Sequence, residues 1–225
     1  MRILAVDTST MMSSISILED DKIIADSSIN QEETHSEMLV PLIKRMLDDL
    51  KIKANDIDLF AIAKGPGSFT GLRIGMTSLK AMAQALDKPI IGVSTLKGMA
   101  YSIMNDGYVL AIIDARGNRY FAGLYKWNNN QLEMQFEEII EENVLEERIQ
   151  EIDRITIVGE AISKLPNKIK EFSNVKLSHP GLNNGISRNI AVLAKEKYEK
   201  GEIDNTFNIT PNYLRKSQAE ISFGK

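Results

Sequence analysis

Three short apolar patterns open the chain. Residues 2–6 form an apolar run that stops at Asp7, residues 13–18 alternate small polar and apolar side chains, and residues 22–29 follow the turn residues Asp20 and Asp21. This patterning predicts a strand in each segment. The connections, about four to five residues around 9–12 and about three around 20, are short enough to favour antiparallel neighbours. Helical spacing then takes over. Thr34 followed by Glu37 reads as a capping box, and Met38, Leu39, Leu42, Ile43, Met46, Leu47 and Leu50 recur on one face. Pro41 lies inside this pattern, where its missing donor predicts a bend or a later helix start. Residues 58–63 read as a buried strand, 65–71 as a glycine-rich loop and 72–86 as a helix with Leu72, Met76, Leu79, Met82, Ala83 and Leu86 on its apolar face. Small residues on that helix, Gly75, Ser78 and Ala81, would let another helix approach closely. Residues 89–93 predict a strand and 95–104 a helix.

The resulting order is three antiparallel strands feeding two right-handed crossovers. It is similar to the ribonuclease H-like and actin-like α/β module. A Rossmann domain would alternate strand and helix from its start. The second half is patterned less sharply. Residues 109–114 and 120–125 predict strands around the turn Ala115-Arg116-Gly117-Asn118-Arg119, and Asn128-Asn129-Asn130 marks a further turn. A strand and then a helix are expected in the glutamate-rich 133–151, a strand at 154–158, and helices at 160–172 and 188–200. No internal repeat is evident in the residues. The expected division is a domain of residues 1–105 and a smaller α/β domain of 106–225, with the last helix packing back on the first part.

Composition narrows the function classes. With 43% apolar residues in 225, a sizeable buried core is expected. There is no cysteine, so neither a disulfide nor thiolate chemistry is available, and a cytoplasmic location fits. The N-terminal apolar run is too short for a signal peptide, and no stretch approaches the ~20 apolar residues that cross a bilayer. A net charge of −4 argues against a protein that grips nucleic acid by itself. A local basic patch around Arg215 and Lys216 stays open.

The glycine loop carries the strongest candidate chemistry. Gly65, Gly67 and Gly71 follow a strand and open a helix, a context that suits anion capture by free amides. Yet Leu72 and Arg73 stand where a P-loop needs lysine and a hydroxyl residue, and Thr70 interrupts a dinucleotide fingerprint. A structural turn seating a helix on a sheet is the competing reading. Asp7, at the end of the first strand, would suit Mg²⁺ or phosphate work, but Thr8-Ser9-Thr10 after it lacks a glycine that would admit a phosphate to the backbone. It could equally hydrogen-bond its own loop. The two histidines, His35 and His179, are isolated, so a three-ligand metal site is not expected. Gly67-Ser68-Phe69-Thr70-Gly71 puts serine one position early for a nucleophile elbow.

The strings are more specific than their spacing. Gly65–Gly75 read GPGSFTGLRIG, Asp7-Thr8-Ser9-Thr10 closes the first strand, and His35-Ser36-Glu37-Met38-Leu39-Val40-Pro41 opens the first helix. Pro211-Asn212-Tyr213-Leu214-Arg215 precedes Gln218-Ala219-Glu220. Together they resemble the TsaB (YeaZ) family, whose catalytic paralogue is TsaD. The resemblance implies an actin-like (ASKHA) fold of two related subdomains. It implies a subunit without catalytic residues or metal that supports N6-threonylcarbamoyladenosine formation at position 37 of tRNA. The implied partners are TsaD first and TsaE second, with a homodimer when TsaD is absent and tRNA met only through the complex. The expected contact face is His35, Met38, Leu39, Leu42, Ile43, Met46, Arg73, Ile74, Thr77 and Ala81. Asp7, Thr8, Ser9, Gly65, Gly67 and Ser68 would form a vestigial nucleotide loop, with no cofactor in the isolated chain and room for ATP or ADP at the interface of the complex. An independent actin-like ATPase or phosphotransferase using Asp7 and the glycine loop is the alternative.

Overall fold

The computed structural model describes residues 1–30 and 35–214, with backbone only for 35–37. The chain divides into two compact units. The first joins Met1–Gly98 to Gly185–Asn212, and the second is built on Met99–Asn184. The units are therefore not consecutive halves split near residue 105, because residues 185–212 return to the first sheet.

The first sheet has the order β3-β2-β1-β4-β5. Strand β1 (Arg2–Asp7) pairs antiparallel with β2 (Met12–Glu19), which pairs antiparallel with β3 (Lys22–Asn30). On its other side β1 is parallel to β4 (Leu59–Ala63), and β4 to β5 (Ile90–Val93). Central β1 and β4 are continuously apolar because both sheet faces are covered. Leu4, Val6, Ile15, Ile17, Phe60 and Ile62 form one core with Leu39, Ile43 and Met46 of α1 (His35–Leu50) and with Met76, Leu79 and Ala83 of α2 (Phe69–Ala85). The opposite face receives α6 (Ser187–Glu199). There the Ser187 amide donates to Ser14 Oγ at 3.1 Å, and the Ser16 and Ser187 hydroxyls meet at 2.6 Å.

Helix α1 runs through Pro41, which points to solvent. The capping box at Thr34 lies outside the described residues. Helix α2 begins at Phe69 rather than 72, because Ser68 caps it by accepting from the Gly71 amide at 3.3 Å. The helix expected at 95–104 is α3 (Thr95–Ala100).

The second unit repeats the first. Its sheet has the order β10-β9-β6-β7-β8. Strand β6 (Tyr108–Asp114) is antiparallel to β7 (Arg119–Asn128), which is antiparallel to β8 (Gln131–Glu141). Strand β6 is parallel to β9 (Ile155–Val158), and β9 to β10 (Val175–Leu177). Read from β6, this is the topology of the first sheet read from β1, so the fold is actin-like with two related modules. Helix α4 (Glu142–Gln150) stands where α1 does, its Leu145 and Ile149 buried in the second core. The helix expected at 160–172 is broken. A 3₁₀ turn at Glu160–Lys164 and the short α5 (Asn167–Lys170) flank Pro166, which has no amide proton to continue the first piece.

Candidate functional site

Two features of the first unit carry the expected site residues. The first is the surface over α1 and α2, which lie side by side on one sheet face. A helix on a sheet buries one stripe and leaves the opposite stripe free. Leu39 (3% exposed), Ile43 (1%) and Met46 (8%) fall in the buried stripe. They are core residues, not contact residues, because their 3.6-residue period points them at β1, β2 and β4. Leu42 and Ile74 are half-buried and pack against the same core. Met38 (42% exposed), Arg73, Thr77 and Ala81 do reach the surface. Val40 (48% exposed), not among the expected residues, joins them there. The Arg73 guanidinium lies 4.2 Å above the Phe69 ring, one turn back on α2. The side chain of His35 lies outside the described residues.

The second feature is the junction of Asp7-Thr8-Ser9 with the glycine loop. Asp7 ends β1 and is 1% exposed. Its Oδ1 accepts the Ser9 amide at 2.9 Å and the Ser9 hydroxyl at 2.5 Å. The Ser68 amide donates to the Ser9 carbonyl at 2.6 Å, and the Thr8 hydroxyl donates to the Gly71 carbonyl at 2.7 Å. Glycine is required because the backbones touch. A Cβ on Gly67 would lie 2.2 Å from Ser9 O, and one on Gly71 would lie 2.0 Å from Thr8 O. Gly67 also has a φ of +159°. Among the expected vestigial-loop residues, Asp7, Thr8, Ser9, Gly67 and Ser68 are thus brought together, with Gly65 donating to Thr95 Oγ1 at 3.2 Å nearby. The loop's own backbone sits on Thr8 and Ser9, so these residues do not fit a phosphate group in contact with the Asp7 strand end.

The C-terminal string is drawn into the same region. Lys80 of α2 holds the carbonyls of Phe207 and Ile209, both at 3.2 Å, and Ile209 is buried in the first core. The Asn212 amide then bonds the Lys64 carbonyl at 2.6 Å, and a Cβ on Gly65 would meet Asn212 O at 2.7 Å. Pro211-Asn212 therefore starts its string beside the glycine loop, a neighbourhood that no local spacing reveals. Arg215, Lys216 and Gln218-Ala219-Glu220 lie outside the described residues.

Burial pushes the Asp7 carboxyl up to about 6, against the two Ser9 hydrogen bonds that act to lower it. A carboxyl whose folded pKa exceeds its unfolded value of ~3.9 favours folding most when neutral. Its contribution is complete below about pH 4 and is lost as pH rises through 6, a change of about 3 kcal/mol. Asp7→Asn keeps an Oδ1 acceptor for both Ser9 donors without the charge. Urea unfolding at pH 4.5 and 7.5 should show the wild type losing about 2 kcal/mol more than Asp7→Asn across that interval. Parallel pH profiles for the two proteins would contradict an ionisable, desolvated Asp7.

Among the described residues, no cluster of three or more His, Asp or Glu stands where it could hold a metal, and no helix is long and apolar enough to cross a membrane. A family model described as TsaD, tRNA N6-adenosine threonylcarbamoyltransferase, matches residues 22–223. The chain is 33% identical to the tRNA threonylcarbamoyladenosine biosynthesis protein TsaB of Bacillus subtilis, over 99% of this chain and 98% of that one. It is 29% identical to the Escherichia coli TsaB over 97% and 96% of the two chains. Among solved structures, YeaZ from Pseudomonas aeruginosa superposes with a TM-score of 0.76 at 22% identity, covering 94% of this chain and all of that one. This last likeness concerns the fold.

Proposed function

Because this chain belongs to the TsaB family and serves tRNA threonylcarbamoyladenosine formation, we propose that it does so as a cytoplasmic, non-catalytic subunit that docks TsaD through the exposed stripe of α1 and α2. One observation carries the non-catalytic reading. In the first unit the glycine loop is spent on seating α2 directly on Thr8 and Ser9, and Asp7 is buried beneath its own turn. A phosphotransferase of this fold needs that strand end open to a nucleotide and its metal. The loop chemistry therefore builds a rigid platform, and the platform presents Met38, Val40, Thr77 and Ala81 outward.

The docking face suits a helical partner. Thr77 and Ala81 are short and one turn apart, so a partner helix can approach the α2 backbone closely, and Met38 and Val40 add adaptable apolar area on α1. In the absence of TsaD, a second copy of this chain would cover the same stripe. TsaE then joins the complex, ATP or ADP is held at an interface that the partners complete, and tRNA is met through TsaD. The independent ATPase or phosphotransferase reading has no support in the geometry around Asp7.

The test is reconstitution. With TsaC, the enzyme that supplies threonylcarbamoyl-adenylate in this family, together with TsaD, TsaE, threonine, bicarbonate, ATP and unmodified tRNA, omission of this chain is expected to reduce N6-threonylcarbamoyladenosine by at least about tenfold, a rise of about 1.4 kcal/mol in the effective barrier. Asp7→Asn should restore the product to within about twofold, since Asp7 touches no reacting atom in this reading. Mg²⁺-dependent ATP turnover by the purified chain alone, lost in Asp7→Asn, would instead establish the phosphotransferase.

A further inference from the structure

Helix α6 ends at Glu199, and the chain then runs back along the first sheet. Strand β5 is the last strand of that sheet, so its outer backbone groups have no neighbouring strand. Asp204 closes them. It forms an isolated antiparallel bridge to Ile90, its amide donating to the Ile90 carbonyl at 3.1 Å. Its Oδ2 accepts the Gly92 amide at 2.8 Å, while Lys197 Nζ of α6 donates to the Gly92 carbonyl at 3.2 Å and lies 4.0 Å from Asp204 Oδ2. One backbone amide and two side chains thus stand in for a sixth strand.

Beyond Asp204 the segment turns on Asn205, whose carbonyl accepts the Asn208 and Ile209 amides at 3.1 and 2.9 Å, and then reaches α2. There the Lys80 ammonium donates to the carbonyls of Phe207 and Ile209, and the Asn212 amide closes on the Lys64 carbonyl just past β4. Ile209 is buried, whereas Phe207 is 76% exposed. Residues 204–212 are therefore held by a handful of polar bonds and one buried side chain. Such a segment opens locally at far lower cost than the sheet beneath it.

Lys80 connects this segment to the docking helix. It stands one residue before Ala81 and three after Thr77, half-buried at the flank of the exposed stripe they form on α2. A helix seated on the stripe removes water from around the Lys80 ammonium, and a charged hydrogen bond gains strength as the local dielectric falls. We infer that residues 204–212 form a strap whose closure is coupled to docking on α2 through Lys80. A helical protein partner on Thr77 and Ala81 tightens the strap, and the closed strap strengthens docking by the same factor. The partner is the one proposed for that stripe, TsaD, so the coupling rests on that reading. Its consequence is that Pro211-Asn212, which the strap delivers to the glycine loop, is fixed in place when the partner arrives.

Hydrogen exchange read by mass spectrometry, in peptides covering 89–93 and 203–212 of the intact chain, tests the coupling. Saturating TsaD should slow exchange there at least about fivefold in the wild type and leave it unchanged in Lys80→Met, which keeps the stem and removes the donor. Asp204→Ala opens the strap at β5 and should weaken TsaD binding about fivefold. Asp204→Asn, which keeps an acceptor for the Gly92 amide, should stay within about twofold of wild type. The Asp204 pair carries the test if Lys80→Met fails to fold. Exchange that TsaD does not slow, or slowing that persists in Lys80→Met because the partner covers the strap directly, would overturn the coupling. Either result leaves the docking face standing if Thr77→Glu/Ala81→Glu has lost TsaD binding. Full-strength binding in that variant would instead remove docking face and coupling together.

Discussion

Gly71→Ala is expected to unfold the first unit at ordinary temperature. The new Cβ would sit 2.0 Å from the Thr8 carbonyl oxygen, a backbone atom one residue past the end of β1, whose ladder bonds to β2 run to Asp7 and to β4 as far as Val6. Relief requires α2 to lift from the sheet. That exposes Leu72, Met76, Leu79 and Ala83 and breaks the bond from the Thr8 hydroxyl to the Gly71 carbonyl. Each large buried side chain contributes about 1.5–3 kcal/mol, so even a partial lift costs about 4 kcal/mol or more against a total stability of about 5–15 kcal/mol. Urea unfolding followed by circular dichroism measures it. Gly201→Ala is the matched control: its Cβ meets nothing within 4 Å, and only its φ of +77° opposes the change, so a loss of about 1 kcal/mol is expected. Equal midpoints for Gly71→Ala and wild type would mean that the loop does not lie on the strand end.

The second large effect falls on binding and spares the fold. Thr77→Glu/Ala81→Glu places two carboxylates on the exposed stripe of α2, away from every core residue. A partner helix docked there would have to bury an unpaired charge, at a cost of several kcal/mol. Affinity for TsaD should therefore fall at least about 100-fold, with the thermal midpoint within about two degrees of wild type. Met38→Glu should act in the same direction. Ile43→Glu should behave differently, because Ile43 is 1% exposed and shares the core with β1 and β4; it should lose the fold and the binding together. Surface plasmon resonance against immobilised TsaD separates the two classes. Unchanged affinity in the Thr77/Ala81 variant would move the docking face elsewhere.

This contrast explains where the chain's pattern was informative. The helix at 34–50 shows seven apolar positions, and their period marks a buried stripe, yet a period cannot say whether the stripe meets the molecule's own sheet or another molecule. Leu39, Ile43 and Met46 serve the sheet, and the surface-exposed residues are their neighbours out of phase, Met38 and Val40. The glycine loop posed a similar choice. Its string identified the family, while its spacing left phosphate capture and a structural turn both open. Steric contact of Gly67 and Gly71 with Ser9 and Thr8 favours the turn.

Other features had no signal in the residue order. The second module copies the first strand for strand, but the two share topology without shared motifs, and hydrogen-bond registers are not written in composition. Pro166 hid the β9-to-β10 crossover by breaking its helix into two short pieces. The hairpin Ala115-Arg116-Gly117-Asn118-Arg119 was visible as a charged turn, and nothing local said that Asp114 before it would pair with Lys164, 50 positions along the chain.

Read along the chain alone, local periodicity and turn chemistry were enough for the three antiparallel strands, the helices α1, α2 and α6, the family and the absence of thiol chemistry. These depend on residues close in sequence or on whole strings. Packing decided the rest: which stripe of α1 is buried, why two glycines cannot carry a side chain, and that residues 185–212 complete the first sheet's covering rather than the second's. Such outcomes depend on which surfaces meet across 60 to 170 positions, as Thr8 meets Gly71 and Ser16 meets Ser187, and a one-dimensional pattern holds no record of those meetings.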